Sequence, residues 1–261
     1  MNTYDTTIVR NELVANKTYK MVISCPDAFI AAFSPGRFVH IKIPGLEGHI
    51  LRRPISVCSI DESTATLIYR VVGDGTKALS GLGPNDKINI LGPVGTAFYV
   101  GKNYGSIALV GGGLGVAPLI AIPKVHNHIN YSFFAGFGNE KDVYEFETIT
   151  SLCDYAELST MDGSAGTKGT SVEMLSRYLK KGNKVDAVFA CGPVPMFKSL
   201  AKLMDEYKDI ACQISLEERM GCGYGACLTC VCKIKAKDGF NFKRVCVDGP
   251  VFNLRGVIFN A

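Results

Sequence analysis

Four cysteines near the C-terminus have the residue type and spacing for metal chemistry. The run Glu217-Glu218-Arg219-Met220-Gly221-Cys222-Gly223-Tyr224-Gly225-Ala226-Cys227-Leu228-Thr229-Cys230, with Cys246 beyond it, reads C-x4-C-x2-C and then a distant cysteine. Thiolates in that order suit the two irons of a [2Fe–2S] centre, around which the loop has to curl. Gly221, Gly223 and Gly225 ease the curl and let backbone N–H groups turn toward sulfur, where such hydrogen bonds help set the potential. A four-cysteine zinc site is the competing reading. It favours paired C-x2-C knuckles, whereas a single C-x2-C occurs here. Cys222, Cys227, Cys230 and Cys246 are the candidate cluster ligands. Cys232 is expected to pack in the strand that follows.

A second constellation is suited to phosphate. Gly111, Gly112, Gly113 and Gly115, followed by Val116-Ala117-Pro118, lie between an apolar run and a helix-like segment. Glycines allow close backbone approach, and a helix N-terminus offers free N–H groups to a diphosphate. The run does not satisfy G-x-G-x-x-G, because the sixth position is Val116, so a plain glycine turn is the competing reading. Cys191, Gly192 and Pro193 end a later strand, where ligands of open α/β sheets bind; Cys191 either touches a cofactor ring there or is a buried thiol. Asp162 follows another strand and could accept from ribose hydroxyls, which favours NAD over its 2′-phosphorylated form. Nearer the N-terminus, Arg52 and Arg53 stand beside Pro54, Ile55 and Ser56. Arginine suits bidentate phosphate binding, and two surface arginines are the plainer reading.

The elements that must position these groups change in character along the chain. Up to about residue 102 the sequence reads as all-β. Phe38–Ile43 alternates apolar and polar, Leu67–Val72 is rich in strand formers, and Lys87–Leu91 stops at Gly92-Pro93. Gly73-Asp74-Gly75-Thr76 and Gly92-Pro93-Val94-Gly95 read as turns, and the whole as a small barrel or sandwich. From 103 to 213, buried strands at 107–110, 131–135, 155–159 and 186–190 alternate with helices. Thr170–Glu173 is a capping box, and Met196, Phe197, Leu200, Leu203, Met204 and Tyr207 form one helical face. Such alternation implies a parallel sheet with crossovers. Residues 214–261 form the cysteine-rich tail. The expected fold class is β + α/β: an antiparallel barrel, a parallel α/β nucleotide-binding domain and a cluster domain.

Composition narrows the function classes. The chain has 261 residues, 47% apolar and 20% charged, with net charge +4 and no basic block longer than a pair, so nucleic acid is not an expected partner. Residues 103–123 carry no charge, but their central glycines fit strand, loop and buried helix better than a membrane span. The first residues show neither a basic start nor an apolar run, and the expected location is the cytoplasm. Ten cysteines in such a chain are not expected to form disulfides. Cys25, Cys58, Cys153, Cys191, Cys212 and Cys232 default to small core residues.

Together the motifs resemble the ferredoxin-reductase-like flavoproteins, in the same order. Arg53-Pro54-Ile55-Ser56 is similar to that family's R-x-x-S flavin motif, Gly111–Pro118 to its nucleotide loop, and Cys191-Gly192-Pro193 to its C-G-P. Within the superfamily, residues 216–233 and 244–252 resemble the electron-transfer subunits of class 1B, NAD-dependent dihydroorotate dehydrogenases, and the likeness covers nearly the whole chain. It implies that Arg53, Pro54, Ile55 and Ser56 hold FAD, that Arg70, Val71 and Val72 line it on the next strand, and that Gly75 and Thr76 meet its diphosphate. It also implies a separate catalytic subunit carrying FMN, in a heterotetramer with two copies of each. Electrons from dihydroorotate would then pass by way of the [2Fe–2S] centre and FAD to NAD+, in pyrimidine biosynthesis. The small subunit of an NADH-dependent ferredoxin:NADP oxidoreductase has the same parts, with a carboxylate expected in place of one cluster cysteine. A non-catalytic redox sensor or zinc module is the alternative outside enzymes.

Overall fold

The computed structural model describes residues 2–45 and 50–259. Its first unit is a closed six-stranded antiparallel barrel. Strands β1 (Asn2–Ala15), β2 (Thr18–Ser24), β3 (Phe38–Lys42), β4 (Arg53–Ile60), β5 (Thr64–Arg70) and β6 (Lys87–Val94) close in the order β1-β2-β5-β4-β3-β6. Alternation decides which side chains fill it. Val39 and Ile41 of β3 point inward with Met21, Ile23, Val57, Leu67 and Ile90, whereas Phe38 packs with residues of the other two units. Two short helices, α1 (Asp27–Ala32) and α2 (Asp74–Ser80), decorate the barrel.

Two of the expected turns are not turns. Gly75 and Thr76 lie in α2, whose N-terminus Gly73 caps, and the Thr76 hydroxyl donates to the Gly73 carbonyl. Gly92, Pro93 and Val94 continue β6 through a cis Gly92–Pro93 bond. Glycine and proline punctuate a chain only when no neighbouring strand claims the backbone. Here Gly92 pairs with Asn2 of β1 and Val94 with Phe38 of β3. Strand β5 ends at Arg70, so Val71 and Val72 lie beyond it, with Val72 exposed.

The second unit is the anticipated α/β sheet. Strands β7 (Ser106–Gly112), β8 (Asn130–Phe137), β9 (Tyr155–Thr160), β10 (Thr167–Lys168), β11 (Ala187–Cys191) and β12 (Ala211–Ser215) are parallel, with β7 in the middle of the order β10-β9-β8-β7-β11-β12. Helices α3 (Val116–Val125), α4 (Phe146–Leu152), α5 (Ser171–Lys180) and α6 (Val194–Met204) cover the faces. Residues 103–123 thus form strand, loop and helix, and no helix among the described residues is long and apolar enough to cross a membrane. The capping box at Thr170 and Glu173 opens α5. Met196, Phe197, Leu200, Leu203 and Met204 form the buried face of α6, and Tyr207 packs against it from beyond the helix end.

The tail folds as a hairpin of β13 (Val231–Ala236) and β14 (Gly239–Arg244), joined by β16 (Val257–Ile258). Between them β15 (Val251–Asn253) leaves the tail and pairs antiparallel with β12, becoming the seventh strand of the larger sheet. The tail shares one continuous core with the α/β unit and the barrel. Cys230, Cys232, Val245 and Cys246 are buried with Ala190, Phe197, Ile214 and Phe38.

Candidate redox site

The four candidate ligands come together as two pairs, and local backbone geometry accounts for each. In the hairpin, Val231 lies opposite Arg244, so Cys230 and Cys246 just outside it are neighbours despite the intervening strands. Val245 N–H donates to the Cys230 carbonyl at 2.8 Å, and Cys246 N–H points at Cys230 Sγ at 3.4 Å. Cys222 and Cys227 meet across the glycine loop. Cys222 N–H donates to Cys227 Sγ at 3.4 Å, and Cys222 Sγ accepts from Cys227 N–H at 3.4 Å and Tyr224 N–H at 3.5 Å. The curl needs left-handed backbone at Gly223 (φ 79°) and Gly225 (φ 90°), and also at Leu228 (φ 54°), which sequence reasoning missed. Gly221 does not need it; a Cβ there would crowd Cys227 Sγ at 3.2 Å.

The loop is fastened to the hairpin by one arginine. Arg244 Nε donates to Asp248 Oδ2 at 3.1 Å and its Nη1 to the Gly225 carbonyl at 3.2 Å, while Asp248 also accepts from Arg244 N–H at 2.8 Å. The thiols differ electrostatically. Hydrogen bonds from Thr229 and from the Cys222 and Thr229 backbone pull the exposed Cys227 thiol down to about 6. Burial, with the Cys230 thiol adding to it, pushes Cys246 up to about 12. Among the described residues no group of three or more histidine, cysteine or carboxylate side chains is gathered closely enough to hold a metal ion. Two pairs of thiols, with three N–H groups aimed at sulfur in the first and one in the second, suit a two-iron centre that takes two ligands per iron.

The other expected residues collect beside this loop or along the carboxyl edge of the sheet. Arg53, Pro54, Ile55 and Ser56 open β4 with half-buried side chains, and β3 places His40 opposite Pro54 and Phe38 opposite Ser56. Gly75 abuts the Arg53 guanidinium so closely that a Cβ would clash, so these two expected phosphate contacts are adjacent. Thr76 is turned into its own helix: its hydroxyl accepts from Val72 and Gly73 N–H. Arg70 pairs with Asp142 at 3.4 Å and donates to Thr18 Oγ1, linking barrel to α/β unit.

Gly111 and Gly112 end β7, Gly113 and Gly115 form a short 3-10 turn, and Val116 begins α3. Register sets Gly111 beside Cys191, and a Cβ on Gly115 would collide with the Cys191 carbonyl. A Cβ on Gly112 would meet Met196 Sδ at 2.8 Å and Pro193 Cδ at 3.0 Å. The loop and Cys191-Gly192-Pro193 are thus one packed unit. From below, buried Tyr144 donates to the Gly113 carbonyl at 3.0 Å, a brace with no sequence signal. The Cys191 thiol is pushed up to about 12 by burial, and Glu217 adds to the shift. Asp162 lies past the end of β9, exposed, with its carboxylate accepting from Ser164 N–H and Oγ; these bonds hold it below the usual carboxylate range.

An antiparallel barrel, a parallel nucleotide sheet with glycine loops at its carboxyl edge, and a four-cysteine tail define a ferredoxin-reductase-like electron-transfer protein with an added cluster domain. Residues 217–258 match the family model of the iron–sulfur cluster binding domain of dihydroorotate dehydrogenase B. The chain is 40% identical over 260 residues, 97% of each chain, to the electron transfer subunit of dihydroorotate dehydrogenase B (NAD(+)) of Fusobacterium nucleatum subsp. nucleatum. It is 36% identical over 258 residues, 96% of each chain, to that of Bacillus mycoides. The chain therefore belongs to the family of dihydroorotate dehydrogenase B electron transfer subunits. Among solved structures it resembles an NADH-dependent reduced ferredoxin-NADP oxidoreductase (TM-score 0.84, 29% identity, 97% of this chain and 89% of the other).

Proposed function

We propose that this chain is the NAD-facing half of a dihydroorotate dehydrogenase, taking electrons from a separate FMN-bearing catalytic subunit that oxidises dihydroorotate and delivering them to NAD+. The observation that carries it is the pairing of thiols at the meeting point of cluster loop, flavin-type strand and nucleotide sheet. When bound, a [2Fe–2S] cluster passes single electrons and FAD exchanges either single electrons or a hydride, which joins a one-electron donor to nicotinamide. The chain's own residues provide placement and screening. Cys222 with Cys227, and Cys230 with Cys246, would each hold one iron. Arg53, Pro54, Ile55 and Ser56, with Gly75 beside them, would seat FAD; Arg70, Thr76, Val71 and Val72 flank that seat. Gly111, Gly112, Gly113 and Gly115 would receive the NAD diphosphate, Asp162 the ribose, and Cys191-Gly192-Pro193 the nicotinamide end.

The division into residues 1–102, 103–213 and 214–261, a heterotetramer with two of each subunit, and a cytoplasmic location complete the reading. All four cluster positions are cysteine, which supports the pyrimidine pathway over the ferredoxin:NADP role. The test is anaerobic addition of NADH to the purified chain. Bleaching of both flavin and cluster absorption is expected, and a colourless or zinc-loaded preparation would overturn the assignment.

A further inference from the structure

His40 is the one buried histidine of the described residues, and nothing assigned so far uses it. It stands on β3, whose neighbours Val39 and Ile41 fill the barrel, so its ring points out of the barrel toward the tail. There the Nδ1 and Cε1 edge lies flat against Gly223, and any side chain at 223 would collide with it. The strand register sets it opposite Pro54 of the flavin-type motif. It is 0% exposed, and neither ring nitrogen makes a hydrogen bond of good geometry, although the Cys222 backbone lies close enough to favour the protonated ring. A neutral imidazole carries one N–H and one bare nitrogen, and leaving both unsatisfied in a dry site costs about 1–3 kcal/mol per group. Buried orphans of this kind point to a partner outside the polypeptide.

We propose that His40 is a positioning residue of the flavin–cluster junction, whose ring N–H hydrogen-bonds a sulfur of the cluster held by the Cys222 loop. The proposal rests on the cluster assignment above. Gly223 alone gives the ring room to reach past the backbone, which accounts for a glycine in left-handed conformation where asparagine would also satisfy φ. A donor aimed at cluster sulfur stabilises the reduced, more negative state, so it raises the potential and pins the loop at a fixed distance from β4.

The test uses the full chain with its cofactors, labelled with 15N-histidine, reduced with dithionite and examined by pulsed EPR. A histidine 15N coupling to the reduced cluster is expected. It should be lost in His40→Leu, and retained when His49, His126 and His128 are all replaced by glutamine. In His40→Leu the cluster midpoint potential should also move to more negative values at unchanged iron and sulfide content. A cluster signal without any histidine coupling overturns the proposal and leaves the functional reading intact; no cluster signal at all overturns that reading instead. Because the wild-type coupling decides the matter, poor folding of the leucine variant does not blunt the test.

Discussion

Cys227 shows how far a single residue's surroundings can set its chemistry. It is exposed, and its thiol is lowered by the hydroxyl and N–H of Thr229, which favour the thiolate that iron requires. In protein stripped of its cluster, alkylation of Cys227 by iodoacetamide should therefore reach half its limiting rate near pH 6. Thr229→Val should move that midpoint upward toward the ordinary thiol value, as mass spectrometry of the labelled peptide would report; an unmoved midpoint would show that Thr229 does not govern it. Gly115 makes the steric counterpart. Gly115→Ala drives a methyl into the Cys191 carbonyl, so overpacking of about 1–3 kcal/mol and a fall of tenfold or more in NADH-driven flavin reduction are expected by stopped flow, with the cluster spectrum preserved. At this scale the sequence was informative where spacing itself carries chemistry. The four cysteines and the glycine loop could be read directly. His40, Tyr144 and Arg244 could not, because a lone polar residue acquires its role only from what the fold brings against it.

Between elements, Arg244 matters because its bond to the Gly225 carbonyl ties the loop of Cys222 and Cys227 to the turn that carries Cys246, while Asp248 orients the guanidinium. A surface ion pair is worth little alone, but this one also holds the Gly225 carbonyl. Arg244→Gln should weaken the fastening and shorten the half-life of the cluster in air, followed by loss of its visible absorption, without lowering flavin content. Equal decay in both proteins would sink that role. Tyr144→Phe removes the brace beneath Gly113 and Leu114. It should raise the NADH dissociation constant several-fold while leaving cluster absorption unchanged. Element type was mostly legible here, since alternation with period two and the change to helical spacing near residue 105 reflect which faces are buried. What misled was punctuation. Gly73–Thr76 became a helix start, closed locally by the Thr76 hydroxyl, and Gly92–Val94 a strand, because β1 and β3, distant in sequence, pair with it.

Across the whole molecule, burial of His40 between barrel and tail makes their contact sensitive to acid. Burial first, then the Arg52 guanidinium, lowers its pKa from 6.5 to about 4. The unfolded chain therefore takes up a proton as pH falls through 6.5 while the folded one resists until about 4. Stability is complete above the first value and declines between the two, by up to about 3 kcal/mol. Thermal melts of cluster-free protein between pH 7 and 4 should show this loss, and His40→Leu should flatten it over that interval; parallel curves would show that His40 does not govern it. The three-part layout was readable from the changes of pattern along the chain, but the passage of β15 into the larger sheet was not, since three residues at a sheet edge carry no periodicity of their own. That strand has a further consequence. Ser215 and Val251 sit side by side on β12 and β15, so residues 216–250 depart from and return to points about 5 Å apart. The redox tail is in effect a cassette clipped into the rim of a nucleotide-binding sheet, whose ends need not move when its contents are exchanged for those of a relative.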